Sequence, residues 1–132
     1  MKKLFLLSIL AMFASVVFAQ QPVITFDRLA HDFGVVNQED GDISTVFTYT
    51  NTGDAPLILT QRPGITCGCT MPDLNPAINT PIAPGQSGEI TVKYSASTRP
   101  GFINRTVTVF SNAGDNVVLS IKGEVKRKPT AE

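Results

Sequence analysis

Tryptophan is absent from the sequence, histidine occurs once, cysteine and tyrosine twice each, and the 132 residues sum to no formal net charge. Each shortage closes off a class of function. The lone histidine, His31, has no nucleophilic serine near it, which leaves no catalytic triad to build. Scarce nitrogen and sulfur ligands also argue against a closed structural zinc site, which wants four of them. Without tryptophan, and with Cys67 and Cys69 two positions apart, the cysteine–tryptophan–cysteine signature of antibody domains is missing. The even charge balance argues against nucleic acid or an anionic lipid surface as partner, since both are met by basic faces. Helical periodicity is missing too: past residue 19, no window of eleven residues or more carries an apolar stripe at three-to-four spacing.

What is present begins with Met1-Lys2-Lys3, an almost wholly apolar run from Leu4 to Phe18, and Val17-Phe18-Ala19 before Gln20. A charged start, an apolar middle and a small-residue end read as a secretory signal peptide, residues 1–19, cut after Ala19. Position 20 is glutamine rather than cysteine, so the bacterial lipoprotein pattern is lacking. The apolar run falls short of the roughly 18–20 residues of a spanning helix, and no other stretch approaches that, so no membrane span is expected after cleavage. The remaining 113 residues fit one domain with its own core. Lys2 and Lys3 leave with the leader, so 9 basic residues face 11 acidic ones. The expected location is the bacterial periplasm or outside the cell. Residues 126–132, opening with Lys126-Arg127-Lys128, read as a polar C-terminal tail.

Between these ends the chain is a series of short β-prone runs punctuated by turns. Val23 to Phe26 and Asp32 to Val36 look like one edge strand broken in two. Thr45, Phe47 and Tyr49 alternate with Ser44, Thr48 and Thr50, with Val46 out of pattern. Asn51-Thr52-Gly53-Asp54 is turn chemistry. Leu57 to Thr60 reads as the next strand, ended by Pro63-Gly64. Pro72 to Pro84 holds four prolines and reads as a long connection that cannot be a central strand. Ile90, Val92 and Tyr94 mark a half-buried strand. Phe102 to Ser111 follows, with Val107 and Val109 on one face. A hairpin-type loop at Asn112 to Asp115 then leads into a last strand whose Val117, Leu119, Ile121 and Val125 point one way. About seven short strands with turns every ten residues or so predict an all-β, immunoglobulin-like sandwich over residues 20–125.

The chemistry concentrates in Ile65-Thr66-Cys67-Gly68-Cys69-Thr70-Met71. If the stretch is extended, Ile65, Cys67, Cys69 and Met71 share a face. Three readings follow. These residues are an ordinary inward face or a passive disulfide, since cysteine and methionine are commonly buried. Alternatively, Cys67 and Cys69 form a redox couple. Their α-carbons would sit about 6.6 Å apart in an ideal strand, near the upper limit for a disulfide. Gly68 could let the backbone buckle. So small a ring contributes only about 1.6 kcal/mol of loop entropy, which makes it a poor staple and an easily reduced bond. Third, Cys67, Cys69 and Met71 together form a soft ligand set suited to Cu(I). His31 precedes a different strand and reads as an ordinary surface or edge residue.

Several phrases together carry a resemblance: Phe33-Gly34-Val35-Val36, the run from Phe47 to Leu57 with its Asn51-Thr52-Gly53-Asp54, Cys67-Gly68-Cys69-Thr70, Ile82-Ala83-Pro84-Gly85, and Gly123. The chain resembles an exported bacterial family, domain of unknown function 1573. That family is similar in layout to the ASPM/SPD-2/Hydin, major-sperm-protein and PapD-like immunoglobulin sandwiches. The resemblance spans the whole mature chain, its specific part being Cys-Gly-Cys-Thr. It implies the fold and an envelope location, and it brings no activity.

Other motifs carry less. Asp32-Phe33-Gly34 has the letters of a kinase motif without a phosphate loop or the length of chain. Asp40 and Asp42 flank Gly41 like half a calcium loop, but Ile43-Ser44-Thr45 continues no ligand pattern. Asn104-Arg105-Thr106 matches a glycosylation acceptor by letters alone. The expectation is a non-enzymatic module that binds an envelope protein or a surface polymer, needing no cofactor, with the thiol site as its alternative.

Overall fold

Alternating side chains account for the firmest strands. β3 (Ile43–Asn51) buries Thr45, Phe47, Tyr49 and Asn51 and exposes Ser44 and Val46, while β6 (Ser87–Tyr94) buries Ile90, Val92 and Tyr94. The structure is a computed structural model and describes residues 20–127. The expected signal peptide, and the tail beyond Arg127, lie outside the described residues. Six more strands complete the set: β1 (Ile24–Phe26), β2 (Ala30–Asn37), β4 (Gly64–Ile65), β5 (Thr70–Asn75), β7 (Gly101–Val109) and β8 (Val117–Lys126). Lys126, expected in the tail, is thus the last residue of β8.

Two four-stranded sheets pack as a sandwich, in orders β1-β3-β6-β5 and β2-β8-β7-β4. All pairings are antiparallel except β2 with β8, which is parallel. The chain changes sheets between Phe26 and Ala30, the break expected in the first edge strand. Phe47, Ile90 and Val92 from one sheet meet Val107, Leu119 and Ile121 from the other in a single core. At Gly123, φ of +154° and a would-be Cβ only 2.9 Å from the Gly34 carbonyl leave no place for a side chain. There β2 breaks register with β8, between Asp32 and Val35. Among the described residues, no helix is long and apolar enough to cross a membrane.

Three sequence expectations need correction. Leu57 to Thr60 is not a strand: Leu57 and Leu59 are buried but make only isolated bridges to Ile82 and Ser111. Pro72 belongs to edge strand β5 rather than to a loop. Finally, the segment holding both cysteines turns instead of running straight. Asn51, read as turn chemistry, is a fully buried hub. Its Nδ2 donates to the carbonyls of Ala55 (2.8 Å) and Ile82 (2.9 Å), and its Oδ1 accepts from Gly53 N–H at 3.0 Å. These bonds satisfy the backbone where β3 ends.

Candidate functional site: the flank where two sheet edges meet a disulfide turn

The site follows from the strand order. β4 is one edge of its sheet and β5 one edge of the other, and the chain crosses between these edges through residues 66–69. Cys67-Gly68-Cys69-Thr70 makes that crossing as a tight turn, closed by Thr70 N–H donating to the Cys67 carbonyl at 3.2 Å. Ser95 N–H donates to the Cys69 carbonyl at 2.9 Å, so Cys69 is fastened to the beginning of the β5–β6 ladder. Turning draws the two α-carbons to 5.2 Å, and the sulfurs are joined as a disulfide. Gly68 reaches this geometry without a positive φ, and a Cβ there would meet nothing within 4 Å. The backbone therefore does not demand glycine at this position.

The two sulfurs sit in unlike surroundings. Cys69 is 2% exposed and belongs to the core. Cys67 is half-buried and packs on the core from the rim. The Cys69 N–H points at Cys67 Sγ from 3.1 Å, while Thr70 Oγ1 lies 3.8 Å from Cys69 Sγ.

Beside the turn lies a groove of about 580 Å³ whose lining includes Ile65, Gly68, Met71, Leu74 and Ile78, with Arg62 and Asp73 supplying charge of both signs. Ile65 is 43% exposed and Met71 44%. An antiparallel ladder that bonds Cys69 to Ser95 also directs Met71, Asp73 and Asn75 toward β6. The backbone of Thr70, Pro72 and Leu74 therefore faces the free edge. Pro72 has no N–H to offer there, which blunts the edge against open-ended strand addition. Recognition in the groove falls mainly to side chains.

Cys67 and Cys69 are the sequence-predicted site residues brought together. Met71 does not complete a common sulfur face: Thr70 beside it is buried, and strand alternation sends the Met71 side chain outward, away from the core around Cys69. His31 lies on β2, at the opposite edge of its sheet from β4, with its ring edge-on to Phe33 at 4.6 Å. No group of three or more His, Cys, Asp or Glu among the described residues is placed to hold a metal. Asp42 spends its carboxylate on the Ser97 hydroxyl at 2.7 Å and backbone N–H at 3.3 Å, with Lys93 3.7 Å away. Those Ser97 hydrogen bonds, helped by Lys93, hold its pKa below the ordinary aspartate value. Sequence reasoning missed the groove because Ile65, Leu74 and Ile78 carry no pattern that separates them from core residues.

No curated protein matches the sequence. Solved structures do match the fold, these two among them. One, a protein of unknown function from Porphyromonas gingivalis W83, superposes with a TM-score of 0.66 at 18% identity, over 86% of this chain and 51% of that one. The other, the secreted serine protease VesC from Vibrio cholerae, gives 0.57 at 17% identity, over 78% of this chain and 23% of that one. This chain thus spans about half the length of the first and a quarter of the second, and at such identities the likeness is one of fold alone. The family described as "Protein of unknown function (DUF1573)" matches residues 24–125, from the first residue of β1 almost to the end of β8. With both sheets, both groove-forming edges and the cysteine turn inside that span, the chain belongs to the DUF1573 family.

Proposed function

We propose that the protein is a non-enzymatic, immunoglobulin-like module of the bacterial envelope, exported by residues 1–19, that binds a segment of another envelope protein in the groove between β4 and β5. The observation that carries this reading is the pair Ile65 and Met71. Both are large apolar side chains, nearly half exposed, on facing edges of one groove. Covering such side chains is worth on the order of 1 kcal/mol each, drawn from the 1.5–3 kcal/mol of full burial. An apolar lining suits protein side chains better than a polyhydroxylated surface polymer. The test is capture from envelope fractions by the wild-type protein alongside an Ile65→Asp, Met71→Asp variant. A partner protein identified with the first and lost with the second supports the reading. Capture of polymer instead, or of the same partner by both, overturns it.

A second reading, favoured by the disulfide itself, makes Cys67 and Cys69 a redox couple at the end of the groove. Its ring closes over a single residue, so it constrains the unfolded chain little and adds little stability to the fold. Binding of Cu(I) by Cys67, Cys69 and Met71 would require the reduced pair and an inward swing of Met71. The redox version passes through the reduced pair as well but needs no movement of Met71.

A further inference from the structure

We infer that the disulfide is a directional thiol–disulfide exchange site, in which Cys67 is the sulfur attacked first and Cys69 is the buried partner that leaves and later resolves. The inference rests on the redox reading above and adds the order of events and the class of reductant, a dithiol. Three observations place the roles. Cys67 is half-buried at the rim, whereas Cys69 is almost wholly enclosed in the core. Gly68, between them, lines the groove and has open space where a side chain would stand. An incoming thiolate therefore meets no side chain at the turn's tip. Lastly, the 3.1 Å contact from Cys69 N–H gives Cys67 a fixed donor that favours its thiolate, the form in which Cys67 leaves the mixed disulfide in the second step and attacks in the reverse direction.

The step balances as follows. A thiolate of the dithiol attacks Cys67 Sγ. A bond forms from that sulfur to Cys67 as the Cys67–Cys69 bond breaks, and Cys69 departs as a thiolate and takes up a proton. The second thiol of the reductant, deprotonated, then attacks its own sulfur in the mixed disulfide. Cys67 leaves as a thiolate and the reductant closes to a disulfide. Two electrons pass from dithiol to protein, and no other reactant is consumed. Run backwards, the rim thiolate of Cys67 attacks a foreign disulfide and Cys69 resolves the intermediate. Thr70 Oγ1, 3.8 Å from Cys69 Sγ, lies within hydrogen-bonding reach of the leaving sulfur.

The order can be read without a variant. Purified protein is treated under native conditions with reduced glutathione, quenched in acid, alkylated and mapped by peptide mass. Glutathione at least tenfold more abundant on Cys67 than on Cys69 is the expected result. Preferential labelling of Cys69 overturns the order while leaving the redox reading in place. A disulfide that resists dithiothreitol until the protein is denatured overturns both. The variants give a second readout: Cys69→Ser, with its rim thiol free, is expected to react with an aromatic disulfide at least tenfold faster than Cys67→Ser. Equal rates in two folded variants contradict the inference.

Discussion

The Tyr49 ring lies directly over the α-carbon of Gly88, its partner across β3 and β6, so closely that a methyl group on Gly88 would stand 2.3 Å from Tyr49 Oη and 2.5 Å from Cζ. Neither neighbour can retreat, because Tyr49 is fully buried and Pro76 closes the other side at 3.0 Å. Gly88→Ala is expected to destabilise the fold by about 1–3 kcal/mol or more, the cost of overpacking a core. Urea unfolding of wild type and variant measures it.

The same phenol hydroxyl is buried with no hydrogen-bond partner among the described residues. Burial pushes its pKa up to about 12, against about 10 in an unfolded chain. Above pH 10 the unfolded state releases a proton that the folded state retains. This contribution to stability is therefore complete below pH 10 and is lost as pH rises toward 12. Tyr49→Phe should leave stability at pH 7 unchanged or raised by up to about 1 kcal/mol, since an orphaned polar group is removed. It should also flatten the alkaline decline. Denaturant midpoints at several pH values, compared between the two proteins, check both effects.

Asn51 offers a sharper loss. Replacing it by alanine leaves the Ala55 carbonyl and the Gly53 N–H without this partner and takes one of two donors from the Ile82 carbonyl, which keeps Leu57 N–H at 2.9 Å. At roughly 1–3 kcal/mol for a buried group left unpaired, the total should reach several kcal/mol, and thermal unfolding should fall well below wild type. Asn51→Asp should be no better, because it removes the donor to both carbonyls and buries a carboxylate.

How legible was this in the chain? β3, β6 and β8 were plain because one face of each is buried and the period-two pattern survives. The family and fold followed from them and from Cys67-Gly68-Cys69-Thr70. β5 was hidden because proline signals a loop, although Thr70, Pro72 and Leu74 alternate in burial with Met71, Asp73 and Asn75 as a strand should. Only its place at a sheet edge, which no local pattern records, makes Pro72 admissible. The cysteine turn was hidden for a related reason. Its closing bond from Thr70 to Cys67 is local, but the bond that fastens it, Ser95 to Cys69, depends on a residue just past the end of β6, 26 positions on. Asn51 does make a turn bond, to Gly53, but its bonds to Ile82 and Val23, 31 and 28 positions away, leave no local trace.

Reduction should matter little to the fold. With only about 1.6 kcal/mol expected from so small a ring, the reduced protein should stay folded, its unfolding midpoint slightly lowered. Circular dichroism melts with and without dithiothreitol show whether it does. A reduced protein that unfolds at room temperature would make the bond a staple.

The groove is tested most directly by placing a photo-crosslinking residue in living cells at Met71, on the groove, and at Phe102, which is 84% exposed on β7 and outside the groove. The expected result is a discrete protein adduct from position 71 that is absent from position 102 and abolished by Ile65→Asp. Adducts of equal yield from both positions, or from position 102 alone, would contradict a binding face at the flank where β4, β5 and the Cys67–Cys69 turn converge.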